Sequence, residues 1–214
     1  MTGPVLYTAE VDYPPEAHDA FNAWYANRHA PDLIRSGFRT ATSYRAVVGG
    51  LAVLNVYEVP DTSVFAGALY KGVLPNDPYG AEVRGTSAGK LRAQTAYLER
   101  ASHGETGPMD ADWISLFRFA LPETQDADAL AFLSKEIFPS LEKAKVKRLR
   151  YGTRTPEKIG AGTHRPRCMI LAEWKARPPE GADLLVPLAK RFGAALTDAE
   201  PYVGRRAYPW PDAR

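Results

Sequence analysis

The sequence predicts an α+β protein built from two β-α-β-β-α-β halves whose antiparallel sheets pack together within one chain. Three observations carry this reading. The order strand, helix, hairpin, helix, strand occurs twice. The apolar runs Ala52-Val-Leu-Asn-Val-Tyr-Glu-Val59 and Met169-Ile-Leu-Ala-Glu-Trp-Lys-Ala176 occupy the same place in each half and carry an aromatic and a charge near their ends. Between the halves, ASHGETGPMDA over residues 101 to 111 has the small, polar composition of a connection. The expected division is therefore 1–100, a connection over 101–111, and 112–214.

The chain has 214 residues, 45% of them apolar, enough to bury a substantial core as one large domain or two of about 100 residues. Its 27 Lys and Arg nearly balance 25 Asp and Glu, and no one-sign block collects the excess, so a nucleic-acid-tracking surface is not expected. The basic run Lys143–Arg150 reads as a solvated edge between helix and strand. The N-terminal stretch lacks a basic region followed by an apolar run, and no span of 18 uncharged apolar residues occurs. A cytoplasmic protein without membrane contact is the expectation. Cys168 stands alone, which excludes an intrachain disulfide and a cysteine-cluster metal site; it reads as an inert core thiol.

Element by element, Val5–Val11 has strand character, and Pro14-Pro15 punctuates the chain before a helix over 16–30. In that helix Phe21, Trp24 or Tyr25, and Arg28 or His29 recur at three- and four-residue spacing, giving one mostly apolar face. Pro31 lacks an amide proton and clashes inside a helix, so the helix is expected to end or kink just before it. A strand over Phe38–Val48, a Gly49-Gly50 turn and a strand over Leu51–Val59 form a hairpin. A short helix over 62–71, an irregular stretch over 73–89 and a strand over 91–98 complete the half. The second half repeats the order with a strand over 113–121, a helix over 126–143, a hairpin of 146–154 and 168–175, a helix over 181–192 and a strand over 204–210.

The segment Phe21–Ala46 contains Trp24-Tyr25, His29-Ala30-Pro31, Gly37-Phe38 and Ser43-Tyr44-Arg45 in order. With Tyr57–Asp61 weakly extending the match, it resembles the EthD-like branch of the dimeric α/β-barrel superfamily. The resemblance implies ferredoxin-like lobes joined into a barrel, here as a tandem fusion, with further homodimer formation left open. Related barrels include monooxygenases, polyketide cyclases, muconolactone isomerases and haem-using enzymes, so fold analogy informs the pocket more than its chemistry. The second half has no His-x-Pro and departs from the motif.

His29 is the most informative polar residue. It can share a helix face with Tyr25, and a break at Pro31 can bring Arg28 or Asp32 toward the same pocket. An imidazole can move a substrate proton while a tyrosine hydroxyl or a guanidinium steadies developing negative charge. The bland reading gives His29 a hydrogen bond at a helix end, Trp24 a core position, Tyr25 a packing role, and Arg28 and Asp32 a surface pair. Tyr44 and Asn55, on adjacent strands, are candidates to line the barrel, subject to register. His18, His103 and His164 make no ligand pattern with His29, and Gly80, Gly85 and Gly89 form no phosphate loop. The expected function is a cofactor-independent enzyme acting on a small aromatic or polyketide-like ligand, as isomerase, cyclase, lyase or oxygenase. A non-catalytic ligand-binding or stress-associated barrel is the alternative. No cofactor is expected, with haem not excluded.

Overall fold

The computed structural model describes residues 3–73, 75–77, 92–159, 164–179 and 184–209. Most of the stretch 73–89 and the segment 160–163, both read above as loops, lie outside those residues, as do the ends of the strands and helix placed at 91, 181 and 210. Eight antiparallel strands close a barrel in the order β1-β3-β2-β8-β5-β7-β6-β4. They are β1 (Val5–Val11), β2 (Thr40–Val48), β3 (Val53–Val59), β4 (Arg92–Gly104), β5 (Trp113–Ala120), β6 (Val146–Arg154), β7 (Cys168–Trp174) and β8 (Thr197–Tyr208). Each half contributes four strands, ordered β4-β1-β3-β2 and β8-β5-β7-β6. The two seams are ladders of β2 with β8 and of β4 with β6. The barrel is hydrogen-bonded all the way round, leaving no open edge.

Strand alternation divides the side chains between two environments. Leu6, Leu54, Val56, Tyr97, Leu116, Leu171 and Tyr202 point into the barrel from both halves and fill it. With them are buried charges: Glu10 meets Arg118 at 2.6 Å and accepts two bonds from Arg165, while Glu173 accepts two from Arg148 and Glu58 accepts one from Arg150. The opposite strand faces carry two separate cores, each under the helices of its own half. The reading of Lys143–Arg150 as a solvated edge is thus corrected. Alternation turns Arg148 and Arg150 inward, where carboxylates of β3, β4 and β7 meet them.

Pro31 does not end its helix. A helix over His18–Trp24 passes through a wide π turn at Tyr25–His29 into a further helix over Ala30–Arg35. The Ala30 amide bonds to the Tyr25 carbonyl, five residues back, and this extra residue per turn accommodates a proline that has no amide to offer and needs space behind it. The second half repeats the device: Asp126–Phe132, a π turn at Leu133–Ile137 with the Phe138 amide on the Leu133 carbonyl, then Phe138–Lys143 containing Pro139.

Two further boundaries differ from the sequence reading. β4 runs on to Gly104, into the stretch read as a connection, because it pairs with β6 as far as Arg148. β8 begins at Thr197 rather than Gly204, since Thr197–Tyr202 pairs with β5 although its polar residues and Pro201 give no apolar alternation. At the β2–β3 reversal both Gly49 and Gly50 have positive φ, and a Cβ on Gly49 would come within 2.2 Å of the Pro201 carbonyl oxygen. Only glycine fits there.

Candidate functional site

An aromatic-walled cavity lies outside the barrel, between the outer sheet face and the helices of the first half. Its volume is about 360 Å³, at the low end of the range for small-molecule sites. The floor comes from alternate residues of three strands: Tyr7, Ala9 and Val11 of β1, Asn55 and Tyr57 of β3, and Gln94 of β4. Register explains the grouping, because Ala9 sits opposite both Asn55 and Gln94, and Tyr7 opposite Tyr57. The small Ala9 leaves the space that its larger neighbours surround. The roof is Phe21, Trp24, His29 and Leu33, with Tyr70 and Lys71 at one side.

His29 closes the π turn and presents a half-buried ring to the cavity. It stacks on the Trp24 indole with centroids 4.6 Å apart and planes 18° from parallel. Trp24 in turn donates its indole N–H to Asp77 at 2.5 Å, both residues being buried. On the floor, Asn55 is 4% exposed and its Oδ1 has no hydrogen-bond partner among the described residues. A buried amide left so costs about 1–3 kcal/mol, which a ligand's polar group can recover.

The other expected residues fall elsewhere. Tyr25 is fully buried beneath the cavity, between Phe21, Tyr208 and His29, with its hydroxyl toward that of Tyr57. Burial pushes the Tyr25, Tyr57 and Tyr7 phenols well above their ordinary pKa, so they act as neutral groups. Arg28 is exposed and off the cavity wall, and Asp32 pairs with Arg35 rather than Arg28. The continuing helix causes this: without a break at Pro31, Arg28 and Asp32 stay on its outer side. Tyr44 points into the barrel and donates to the Ala111 carbonyl at 3.2 Å, whereas Asn55 on the neighbouring strand faces the helices. The structure therefore gathers His29, Trp24 and Asn55, and does not bring Tyr25, Arg28, Asp32 or Tyr44 to the wall.

Tyr7, Tyr57 and Gln94, which also line the cavity, were not singled out from the sequence. Their signal was weak: Tyr57 shares a strand face with Asn55, but only strand register places Tyr7 and Gln94 beside them. The remaining histidines make local contacts, His18 to the Tyr13 carbonyl, His164 to the Gln94 carbonyl and His103 against the Phe138 ring. Cys168 is fully buried, accepts a weak bond from the Tyr151 hydroxyl, and has its thiol pKa raised by burial. Among the described residues no three His, Cys, Asp or Glu form a metal-binding group, and no helix is long and apolar enough to cross a membrane.

No protein-family profile matches the chain, and no curated protein is similar to it in sequence. Solved structures do match over nearly the whole chain. A monooxygenase candidate from Fusobacterium nucleatum is 6% identical with a TM-score of 0.64, over 96% of this chain and 93% of its own. An anthrone oxidase-like protein is 13% identical with a TM-score of 0.59, over 100% and 97%. A chlorite dismutase variant from Candidatus Nitrospira defluvii is 10% identical with a TM-score of 0.59, over 97% and 92%. At such identities the likeness establishes the fold, that of the dimeric α/β barrels, here closed within one chain.

The resemblance to a superfamily that includes haem-using enzymes prompts a test of fit. Among the described residues, the cavity wall offers one imidazole, laid flat on Trp24, and no arginine for a macrocycle's carboxylates. Those residues do not make a haem site, and no step below passes through one.

Proposed function

We propose that the chain is a cofactor-independent oxygenase of small, electron-rich aromatic compounds, working in the helix-side cavity of the first half. One observation carries the reading: His29 from the helix and Asn55 from the sheet face the same aromatic-walled cavity, one able to take a proton and the other presenting an unsatisfied acceptor oxygen. The fold likeness to an anthrone oxidase-like protein and to monooxygenase candidates supports oxygenation over the isomerase, cyclase and lyase readings. The EthD-like motif, with its His-x-Pro at His29–Pro31, points to the same residue.

The chemistry needs no resident redox group. His29 removes a proton from an acidic C–H beside a carbonyl, leaving a delocalised carbanion, while Asn55 Oδ1 orients the substrate by accepting from a ring hydroxyl. That carbanion reduces molecular oxygen, forming a C–O bond, and the peroxide takes up the proton from His29. Loss of water leaves a ketone. The balance is R₂CH₂ + O₂ → R₂C=O + H₂O, with oxygen the sole oxidant. Tyr25 supports the Tyr57 floor and does not touch the substrate.

An oxygen-electrode assay of the purified protein with anthrone tests this, alongside its absorption spectrum. Expected are oxygen uptake with anthraquinone formation, no haem or flavin band, and a loss of about 10²- to 10⁴-fold in turnover for a folded His29→Ala variant. The competing reading, a binding pocket without chemistry, draws on one fact: His29 is the sole imidazole at the wall, and Arg28 and Tyr25 do not join it. Anthrone binding without oxygen uptake would favour that alternative, and unchanged turnover in His29→Ala would remove His29 from the mechanism.

A further inference from the structure

We infer that Trp24 and Asp77 are positioning residues that set the protonation equilibrium of His29, a role that deepens its proposed use as a base. The geometry is a three-member stack. The His29 ring lies almost parallel to the Trp24 indole at 4.6 Å, and the indole N–H is held by the Asp77 carboxylate at 2.5 Å. Trp24 is 8% and Asp77 6% exposed, so water screens the arrangement weakly.

Each contact favours the imidazolium. A cation over the face of tryptophan is attracted by the ring quadrupole, more strongly than over phenylalanine. A carboxylate accepting the indole N–H adds negative potential on the far side of the same ring. The hydrogen bond also fixes the indole, and with it the plane in which the imidazole lies. For a base that must hold a proton between abstraction and return, this supplies a place for the positive charge.

The other described groups on the elements beside His29 either oppose this effect or are neutral. On its own helical segment, Tyr25 is a buried neutral phenol, Arg28 is an exposed cation and Asp32 is paired with Arg35. From the sheet side come Tyr7 and Tyr57, with Tyr13 just beyond β1; burial keeps the Tyr7 and Tyr57 phenols neutral. The helix over Ala68–Val73 adds the neutral Tyr70 and Lys71, whose exposed ammonium opposes protonation of His29. Asp77, behind the wall rather than on it, is the anionic contributor among these described groups, and it acts through Trp24.

The test is a titration of the four histidine rings by NMR in the full chain without substrate, with the His29 signals assigned by loss in His29→Gln. Trp24→Phe keeps a ring while weakening the π face and removing the N–H; Asp77→Asn keeps an acceptor and removes the charge. In both variants the His29 pKa is expected to fall by about 0.5 to 1 pH unit, while His18, His103 and His164 titrate as in the wild type. With turnover established, the acidic limb of kcat/KM should move down by the same amount. An unmoved His29 titration in both folded variants overturns the inference. Because the titration needs no substrate, a protein that shows the shift but consumes no oxygen retains the stack and loses only the proposed reaction.

Discussion

The two halves share strand order, helix placement and even the π turn before a proline, yet the outer sheet face at β1 and β3 holds an aromatic cavity while the matching face at β5 and β7 is packed solid. The difference lies in a few side chains on the same structural positions. Where β1 and β3 pair Ala9 with Asn55 and Tyr7 with Tyr57, β5 and β7 pair Phe117 with Ile170 and Ser115 with Ala172. Phe117 and Ile170 belong to a closed apolar core that also takes in Leu133, Ile137 and Phe138 of the overlying helix. The second half closes its π turn with Ile137 where the first has His29. Trp174 donates to Ser115, using a polar group that the first half replaces with a tyrosine on the cavity floor. Close packing leaves little middle ground between the two outcomes, so exchanging one small residue for a large one decides whether a half is a site or a scaffold.

That comparison can be broken most severely at Ala9. Replacing it with the phenylalanine of the second half, Ala9→Phe, should fill the first cavity and abolish both anthrone binding by calorimetry and oxygen uptake. The overpacking itself costs about 1–3 kcal/mol. A variant that folds and still turns over anthrone would move the site elsewhere.

The filled barrel interior gives the next largest effect. Glu10 and Arg118 are each the sixth residue of their strand, β1 and β5, and meet at the centre of the molecule. Glu10→Ala leaves Arg118 buried with Glu200 at 3.9 Å, and denaturant unfolding should show a loss of about 3–5 kcal/mol. The double variant Glu10→Leu, Arg118→Leu should recover most of it. Ligand affinity per folded molecule should not change, since these residues face away from the cavity.

The smallest effect belongs to the seam between the halves. The Lys147 ammonium holds the Asp110 carboxyl below its ordinary pKa. A depressed folded pKa adds stability above the unfolded value of about 3.9, and this contribution is lost as pH falls through the folded value. Both groups are near solvent, so Asp110→Asn should cost no more than about 1 kcal/mol at pH 7 and nothing at the acid end of the titration.

Much of the fold was legible because it rests on local signals: apolar strands, glycine turns, and a repeated order of elements. The errors fall where tertiary pairing overrides those signals. Pro31 reads as an end or a kink, and sequence does not reveal that a π turn over Tyr25–His29 lets the helix continue, leaving Arg28 and Asp32 off the cavity wall. β8 was shortened because a polar strand held by pairing with β5 has no hydrophobic period. The motif and strand pattern singled out His29, Trp24 and Asn55, which the structure places on the wall of one cavity. Tyr44 was not separable from Asn55, because one residue of register decides which side of a closed sheet a side chain takes. The expectation that Tyr44 and Asn55 together line the barrel failed for a related reason. Glu10, Arg118, Arg148 and Arg150 look like surface charge in sequence and instead help fill the barrel.

The central claim is that the first half's helix-side cavity is the working site and its counterpart is closed. Amide chemical-shift mapping with 1-naphthol, a neutral hydroxylated arene that cannot be consumed by the proposed C–H chemistry, tests it most directly. The account predicts saturable shifts concentrated at Ala9, Asn55, Tyr57 and His29, with Phe117, Ile170 and Ala172 unmoved. Shifts centred on those second-half residues, or on Tyr44 and Leu116 inside the barrel, would contradict it.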